Sequence, residues 1–369
     1  MKIKKNDAIL IFIIFAATRC LFLMAAHVAN TDGLRIWDFY DAHHYQAIAD
    51  NGYAESMNTA FFPLFPLVIR FFGEMPAIII NNLAFLISAY LIFDLTDQKL
   101  SSVILYCLSP ISFFSMLKYT EALFMLFTVL SYYLFHKRKF GMVLGISIGC
   151  AVATRNVGSM LFFAIFIGMC VLWKKKEISV FDIIKTYVPA TIISCLYPLY
   201  LHINFGNWKL FVDVQFEMWN RVPTNPIRLF LTQIDTVFNP NHYDSLKTQL
   251  VESQYPIIDI YRFNEVVTWI IGLMVIGAMI FMIKKNAKDV NMLVMVSYVI
   301  LAMYCFNTTM RCDCCNAPTA SYFRYYLSLF PIYLSISKLK HDSQIMTIAI
   351  ASTFTCGVII CFVGHIWFY

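Results

Sequence analysis

The sequence predicts an all-α polytopic membrane protein, and three observations carry that prediction. Apolar runs of about 20 residues recur along the chain, the length a spanning helix needs. The 369 residues are 60% hydrophobic and only 14% charged, with a mean hydropathy of +0.67. That is more apolar surface than one soluble core of this size buries. Lysine and arginine collect between the runs, at Lys2–Lys5, His136–Lys139, Lys174–Lys176, Lys284–Lys288 and Lys338–His341, as they do in cytoplasmic loops. No basic domain stands outside the runs, so no nucleic-acid partner is expected.

Clusters that share one side must be separated by an even number of crossings, and this parity orders the elements. Span one runs over 8–28. Arg19 interrupts it and no small-x-small site precedes a soluble domain, so an uncleaved helix is expected rather than a signal peptide. The loop 29–60 is acidic and faces outward. The segment 61–72 is short and carries two prolines, which predicts a re-entrant or interfacial helix. Span two covers 76–93. Spans three (102–116) and four (120–135) make a hairpin tipped by LKYTE. The stretch 141–173 is about twice a span long but is broken by ATRNVG, which predicts two short helices meeting at Arg155. Span seven (181–201) leads to a long outward loop, 204–264. Spans eight (265–283), nine (290–306), ten (321–334) and eleven (345–367) follow. The expectation is about 11 transmembrane helices in a single domain, 1–369, with every basic cluster on one side.

The polar motifs then fall on the other side. Polar groups at membrane depth are costly and tend to mark function. In the first loop, YDAHHYQAIADNGY places Asp41 and His44 three residues apart, neighbours on one helical face. An Asp beside a His suits a general base tuned by its partner. The spacing alone leaves open a pair of metal ligands, or a merely solvated surface helix. Lys118, Tyr119 and Glu121 mark the hairpin tip, where an interfacial polar turn is the ordinary alternative. Arg155 lies inside a long apolar stretch, with Thr154 and Asn156 beside it at a helix break. Such a break gathers donors for a phosphate, and a buried ion pair with Glu121 is the alternative. Arg324 has the same two readings. The segment FGNWKLFVDVQFEMW has the aromatic spacing of a helix lying on the membrane surface. It would serve as an anchor or as the rim of a lipid-substrate groove.

Most of the 11 cysteines lie inside spans and read as small hydrophobes. The RCDCC stretch, with Cys312, Cys314 and Cys315, is too tight for paired zinc ligands, which leaves a disulfide or a free thiol. No Walker loop, GxGxxG, CxxC pair or HExxH is present, and no clear DxD would hold a metal. No cofactor and no metal are expected.

These motifs resemble the luminal signature of the PIG-V family, the GPI mannosyltransferase 2 proteins and their bacterial PIG-V-like relatives. The family pattern runs roughly WD-x-x-HF-x-x-IA-x-x-GY, then E and AFFP-x-xP. Here Asp41 takes the aspartate position, with Tyr40 where Trp is usual, and His44-Tyr45 take the HF positions. Ile48-Ala49, Gly52-Tyr53, Glu55 and Ala60-Phe61-Phe62-Pro63-Leu64-Phe65-Pro66 follow. Trp37-Asp38 is offset by three residues, so Asp38 ranks second. LSPISFFSMLKYTEALFMLF and ATRNVG continue the likeness, and HINFGNWKLFVDVQFEMW and ASYFRYYLSLFP are looser.

The resemblance implies a GT-C-like inverting glycosyltransferase that works on the non-cytoplasmic face. Its donor would be a mannose, or a similar hexose, on a polyprenyl- or dolichyl-phosphate carrier. The acceptor would be a glycan or glycolipid. Asp41 would be the base, oriented by His44. Arg155, Lys118 and Arg324 would hold the donor phosphate, and Tyr45, Glu55, Tyr119, Glu121 and Asn156 the substrates. The chain's length and Tyr40 lean towards a bacterial cytoplasmic membrane, with the endoplasmic reticulum the eukaryotic setting. An accessory subunit is compatible with this reading. The competing class is a transporter or flippase of lipid-linked sugar. Such proteins show inverted repeats and a mid-membrane site, whereas no repeat is visible here and the polar motifs share one side.

Overall fold

The computed structural model describes residues 3–28, 40–238, 257–286, 289–306, 308–310 and 322–363. It is an assembly of helices with one small two-stranded ribbon. Helices α1 (Lys5–Val28), α2 (Asp41–Asn51), α3 (Leu64–Phe72) and α4 (Glu74–Leu95) come first. A 3-10 turn at Ser56–Ala60 lies between α2 and α3. Then come α5 (Leu100–Leu108), α6 (Pro110–Phe114), α7 (Glu121–His136), α8 (Met142–Thr154), α9 (Gly158–Lys174) and α10 (Val180–Phe205). The remaining elements are α11 (Leu210–Glu217), β1 (Arg221–Pro223), α12 (Pro226–Phe238), α13 (Ile257–Asn286), α14 (Val290–Cys305), β2 (Thr308–Met310), α15 (Tyr322–Leu327), α16 (Pro331–Ser335) and α17 (His341–Val363). The ribbon is antiparallel, with Val222 opposite Thr309.

Among the described residues four helices are long and apolar enough to cross a membrane: Lys5–Ala25, Glu74–Leu95, Val180–Phe205 and His341–Ile359. Five further apolar helices are 10–17 residues long. They cover the expected spans four, eight and nine and both halves of the broken stretch 141–173. The expected spans three and ten are not continuous helices. Ser109 is extended ahead of Pro110, which opens α6, and Pro331 opens α16 after a non-helical break at 328–330. Proline has no N–H for the helical ladder and crowds the preceding turn, so an apolar run divides there. The stretch 204–264, expected as one outward loop, is likewise not simply a loop, since it holds α11, β1, α12 and the start of α13.

Three glycines show how close the packing is. A Cβ at Gly145 would run into the Thr186 carbonyl and the Pro189 ring, which is how closely α8 and α10 approach. Gly149, four residues on, faces Ile193 in the same way, a small-residue seam of the kind membrane helices use. A Cβ at Gly158 would overlap the Ala151 carbonyl, so the reversal between α8 and α9 requires glycine there.

Arg19 shows what its interruption of the first run is for. It is 8% exposed and lies between the rings of Phe15 and Phe85, 4.6 and 4.5 Å from their centres. Its Nε donates to Asn82 Oδ1 (2.9 Å), Nη1 to the Ser112 carbonyl (2.9 Å) and Oγ (2.7 Å), and Nη2 to Ser115 Oγ (2.8 Å). One cation therefore ties α1 to α4 and to the short helix α6. Removing it would leave these buried acceptors without donors, the costlier side of losing a hydrogen bond. Arg19→Met should cost about 3 kcal/mol, seen as a thermal midpoint several degrees lower in detergent micelles. An unchanged midpoint would mean that α6 is held by packing alone.

Candidate functional site

The site begins with α2. Its buried face, Ala42, Tyr45, Ile48 and Ala49, packs on the AFFPLFP segment. The Tyr45 ring meets Phe61 and Phe65 edge-on at 5.2 and 5.6 Å. Tyr40 precedes the helix at φ 58, an uncommon conformation for an aromatic residue. Its ring meets Phe362 of α17 edge-on at 5.4 Å. The turn sets Asp41 at the first position of α2, where the helix dipole favours a carboxylate.

The hairpin tip is held from within. Asn81 of α4 donates to the carbonyls of Leu117 (3.1 Å) and Tyr119 (2.8 Å). Thr120 Oγ1 lies 3.2 Å from the Tyr45 hydroxyl. Glu121 then opens α7 with its side chain fully buried. Burial, reinforced by the nearby Asp41 charge, pushes the Tyr45 phenol well above its ordinary value, so this group stays a neutral hydrogen-bonding partner.

Four charged side chains meet behind and beside a cavity of about 340 Å³. Arg324 Nη2 donates to Asp41 Oδ2 (2.9 Å) and to Glu121 Oε1 (2.8 Å). Arg324 Nε reaches the same Glu121 oxygen at 3.2 Å, and Arg155 Nη1 reaches it at 2.7 Å. The order is Asp41–Arg324–Glu121–Arg155, two cations against two anions. The Arg324 guanidinium lies 4.9 Å from the centres of both the Phe114 and Tyr119 rings. Only 4% of its side chain is exposed, against 15% for Arg155 and 20% for Asp41. The inner pair is thus the more buried, with Arg324 against the two rings at the cavity wall, and the two ends are the more exposed.

Of the residues singled out from sequence, Asp41, Tyr45, Arg155, Asn156 and Arg324 line this cavity. Glu121 and Tyr119 stand directly behind it. The other members fall elsewhere. Asp41 and His44 share a helical face as expected, but Arg324 takes the Asp41 carboxylate. The His44 Nδ1 lies 2.7 Å from Asn58 Oδ1, with its ring stacked on Phe61 at 4.7 Å. A distant cation outcompetes the local histidine. Lys118 is buried and pairs with Glu74 of α4 at 3.0 Å, away from the cavity wall. Glu55 is exposed at the start of the 3-10 turn. Asp38, Cys312, Cys314 and Cys315 lie outside the described residues.

The opposite wall comes from α11 and the ribbon, through Phe211, Gln215, Phe216, Trp219 and Arg221. The aromatic spacing of this segment left open a surface anchor or a groove rim. Arg221 and Tyr325 carried no comparable signal, one as a lone arginine in a polar stretch and the other as one aromatic among several. Among the described residues no three His, Cys, Asp or Glu side chains converge as a metal site would require.

No known family profile matches the chain, but individual relatives do. It is similar to the GPI alpha-1,6-mannosyltransferase 2 of Rattus norvegicus, 26% identical over 211 residues, which is 50% of this chain and 41% of that protein. The GPI alpha-1,6-mannosyltransferase 2 of Homo sapiens is 33% identical over 119 residues, 26% of this chain and 24% of that protein. The GPI mannosyltransferase 2 of Drosophila melanogaster is 29% identical over 115 residues, with 25% of each covered. The matched segments span less than half the length of these relatives. These partial matches support a relationship to the PIG-V family of GPI mannosyltransferase 2 proteins.

Proposed function

We propose that the protein is an inverting mannosyltransferase of the GT-C type. It moves mannose from a polyprenyl- or dolichyl-phosphate carrier to a glycan or glycolipid acceptor. The observation that carries this reading is the buried chain of charge whose ends, Asp41 and Arg155, both reach one cavity. A carboxylate at one end and a guanidinium at the other suit the two charge movements of the reaction. The acceptor oxygen attacks C1 of the sugar on the face opposite the carrier. The bond from C1 to the phosphate oxygen breaks, and its electron pair leaves with the phosphate. The acceptor's proton passes to Asp41, whose Oδ2 is held by Arg324 while the other oxygen serves as base. Arg155 is the electrostatic partner of the departing phosphate. The aromatic wall of α11 suits both the apolar carrier and the C–H faces of a sugar. The names of the relatives support the sugar, and the parity of the basic clusters supports a site on the non-cytoplasmic side. In a bacterial cytoplasmic membrane the acceptor is a glycan or glycolipid other than a GPI anchor.

Asp41→Asn keeps the size of the side chain and an acceptor for Arg324 while removing the base. Transfer from polyprenyl-phosphate mannose to cell lipids should fall by roughly 10²-fold or more, with the thermal midpoint close to wild type. Equal transfer by both proteins would remove Asp41 from the mechanism. Glu121→Gln behaves differently, because it leaves Arg155 and Arg324 sharing a neutral amide in a buried site. Losing one partner of such a network costs about 3–5 kcal/mol. This variant should therefore lose thermal stability as well as transfer, and normal stability would show that the two cations find other partners.

A further inference from the structure

The wall that α11 gives the cavity has a pattern of its own. Phe211 and Gln215 lie one turn apart on a single helical stripe. Trp219 follows just past the helix end, where its backbone N–H donates to the Val214 carbonyl at 3.1 Å. All three line the cavity, with Val212 and Phe216 beside them. Elsewhere the helix is fixed to its surroundings. Val214 is buried, and Asp213 turns back to accept from Asn207 (2.8 Å) and to pair with Lys209 (3.3 Å). Gln215 is thus the one hydrogen-bonding side chain that α11 brings to the cavity, set among aromatic rings. Among the described residues its amide has no hydrogen-bond partner.

Trp219 ties this wall to the helix of the proposed base. Its indole N–H donates to the Met57 carbonyl at 3.3 Å, so what it offers the cavity is apolar ring surface. The ring meets His44 edge-on at 5.3 Å and Phe61 at 5.5 Å. His44 shares a face of α2 with Asp41, and Phe61 packs on Tyr45 of the same helix. Phe61 and Trp219 therefore stand on the Asp41 side of the cavity, whereas Arg155 enters from the break between α8 and α9. A pyranose ring has C–H groups that favour an aromatic surface and hydroxyls that need both donors and acceptors. Aromatic rings supply the first. A glutamine amide supplies the second, with two N–H donors and a carbonyl acceptor.

We infer that α11 is the acceptor-recognition element, with Gln215 hydrogen-bonded to hydroxyls of the acceptor's receiving sugar and Trp219 against its ring. This rests on the sugar-transfer reading given above and assigns the acceptor to one side of the cavity. The attacking hydroxyl must reach Asp41 to give up its proton, so its sugar occupies the side that holds Asp41, Phe61 and Trp219. Gln215 is then a specificity-determining residue. It pairs with hydroxyls that a lipid alcohol lacks, and an amide left unpaired beneath a bound ligand is costly. The contact is made in the ground state as well as during transfer, so it acts on the acceptor KM more than on kcat.

The test uses the full chain in lipid nanodiscs. Methyl α-mannopyranoside and methyl α-glucopyranoside probe the sugar face, 1-hexanol stands for a sugarless alcohol, and farnesyl phosphate probes the carrier side. Saturation-transfer NMR on the wild type should show aromatic protons relaying to the ring C–H protons of a bound pyranoside. Gln215→Leu and Trp219→Ala should each weaken the better-bound pyranoside by about tenfold, and Trp219→Phe should recover part of the loss. Binding of 1-hexanol and farnesyl phosphate should not change. With polyprenyl-phosphate mannose as donor and that pyranoside as acceptor, Q215L should raise the acceptor KM and leave the donor KM alone. Wild type that binds neither pyranoside would overturn the assignment. So would unchanged pyranoside affinity in a Q215L protein that still binds farnesyl phosphate. A loss that falls on farnesyl phosphate and the donor KM instead would give α11 to the carrier. If Q215L does not bind farnesyl phosphate, Gln215→Asn decides, and a loss no greater for the pyranoside than for farnesyl phosphate sinks the idea. Failure of the two readings is distinguishable. Pyranoside binding through Gln215 without any mannose transfer keeps the sugar face and loses the enzyme reading. Mannose transfer with an unaltered acceptor KM in both Q215L and W219A does the reverse.

Discussion

Arg324 lies at the centre of the structure because it is shared. It reaches Asp41 across 283 residues of sequence and Glu121 across 203, so α15, α2 and α7 meet at one guanidinium. An arginine this deeply buried is costly on its own in any apolar medium. Two carboxylates compensate it, and the stacked Phe114 and Tyr119 rings lie against it. Removing water strengthens the attraction and raises the penalty for losing a partner. Such a network adds little net stability compared with an apolar core, but it tolerates few alternative arrangements. Its effect is therefore on geometry, since it fixes where Asp41 stands relative to Arg155.

The breaks in the helices serve the same end. A continuous helix satisfies its own backbone and presents only side chains, whereas a broken one places polar residues and helix ends inside the protein. Arg155 occupies the break between α8 and α9, Tyr119 comes from the non-helical turn before α7, and Glu121 is the first residue of α7. Arg324 rides on the six-residue helix α15. Each of these side chains thus comes from a break, a helix start or a short element, while the longer helices lie around them. Arg19 extends this pattern, because its hydrogen bonds to Ser112 and Ser115 anchor the segment just ahead of the hairpin tip.

What the sequence allows one to read follows from the range of the forces involved. Long apolar runs report burial in lipid directly, and α1, α4, α10 and α17 appear close to where composition places them. The ATRNVG break was legible because polar residues interrupt an apolar stretch in the chain itself. The divisions at Pro110 and Pro331 were less so, because averaging over a run hides a single residue that acts through backbone geometry. The Arg155–Glu121 pair stood among the alternatives at the outset, and the structure shows both the pair and the exposure of Arg155 to the cavity. The contact of Asp41 with Arg324 left no local trace, since helical spacing describes only neighbours along one element. For that reason His44 looked like the natural partner of Asp41. Arg221 depends on a strand pairing between segments far apart in sequence, and neither segment announces it.

The proposed reaction asks one site to serve two opposite changes of charge. At rest the four groups Asp41, Arg324, Glu121 and Arg155 sum to zero. If Asp41 takes the acceptor's proton, that end of the chain loses a negative charge and the set becomes net positive. At the same step the departing phosphate gains negative charge. A neutral set that turns cationic as the leaving group turns more anionic stabilises the products of the step more than its reactants. That is the differential interaction catalysis requires. It needs no motion of the helices, because the buried carboxylate of Glu121 holds both arginines throughout. The rigidity of the inner pair and the accessibility of the outer pair are therefore two sides of one constraint. The charges furthest from water position the groups, and the charges most exposed to the cavity are the ones that the proposed transfer uses.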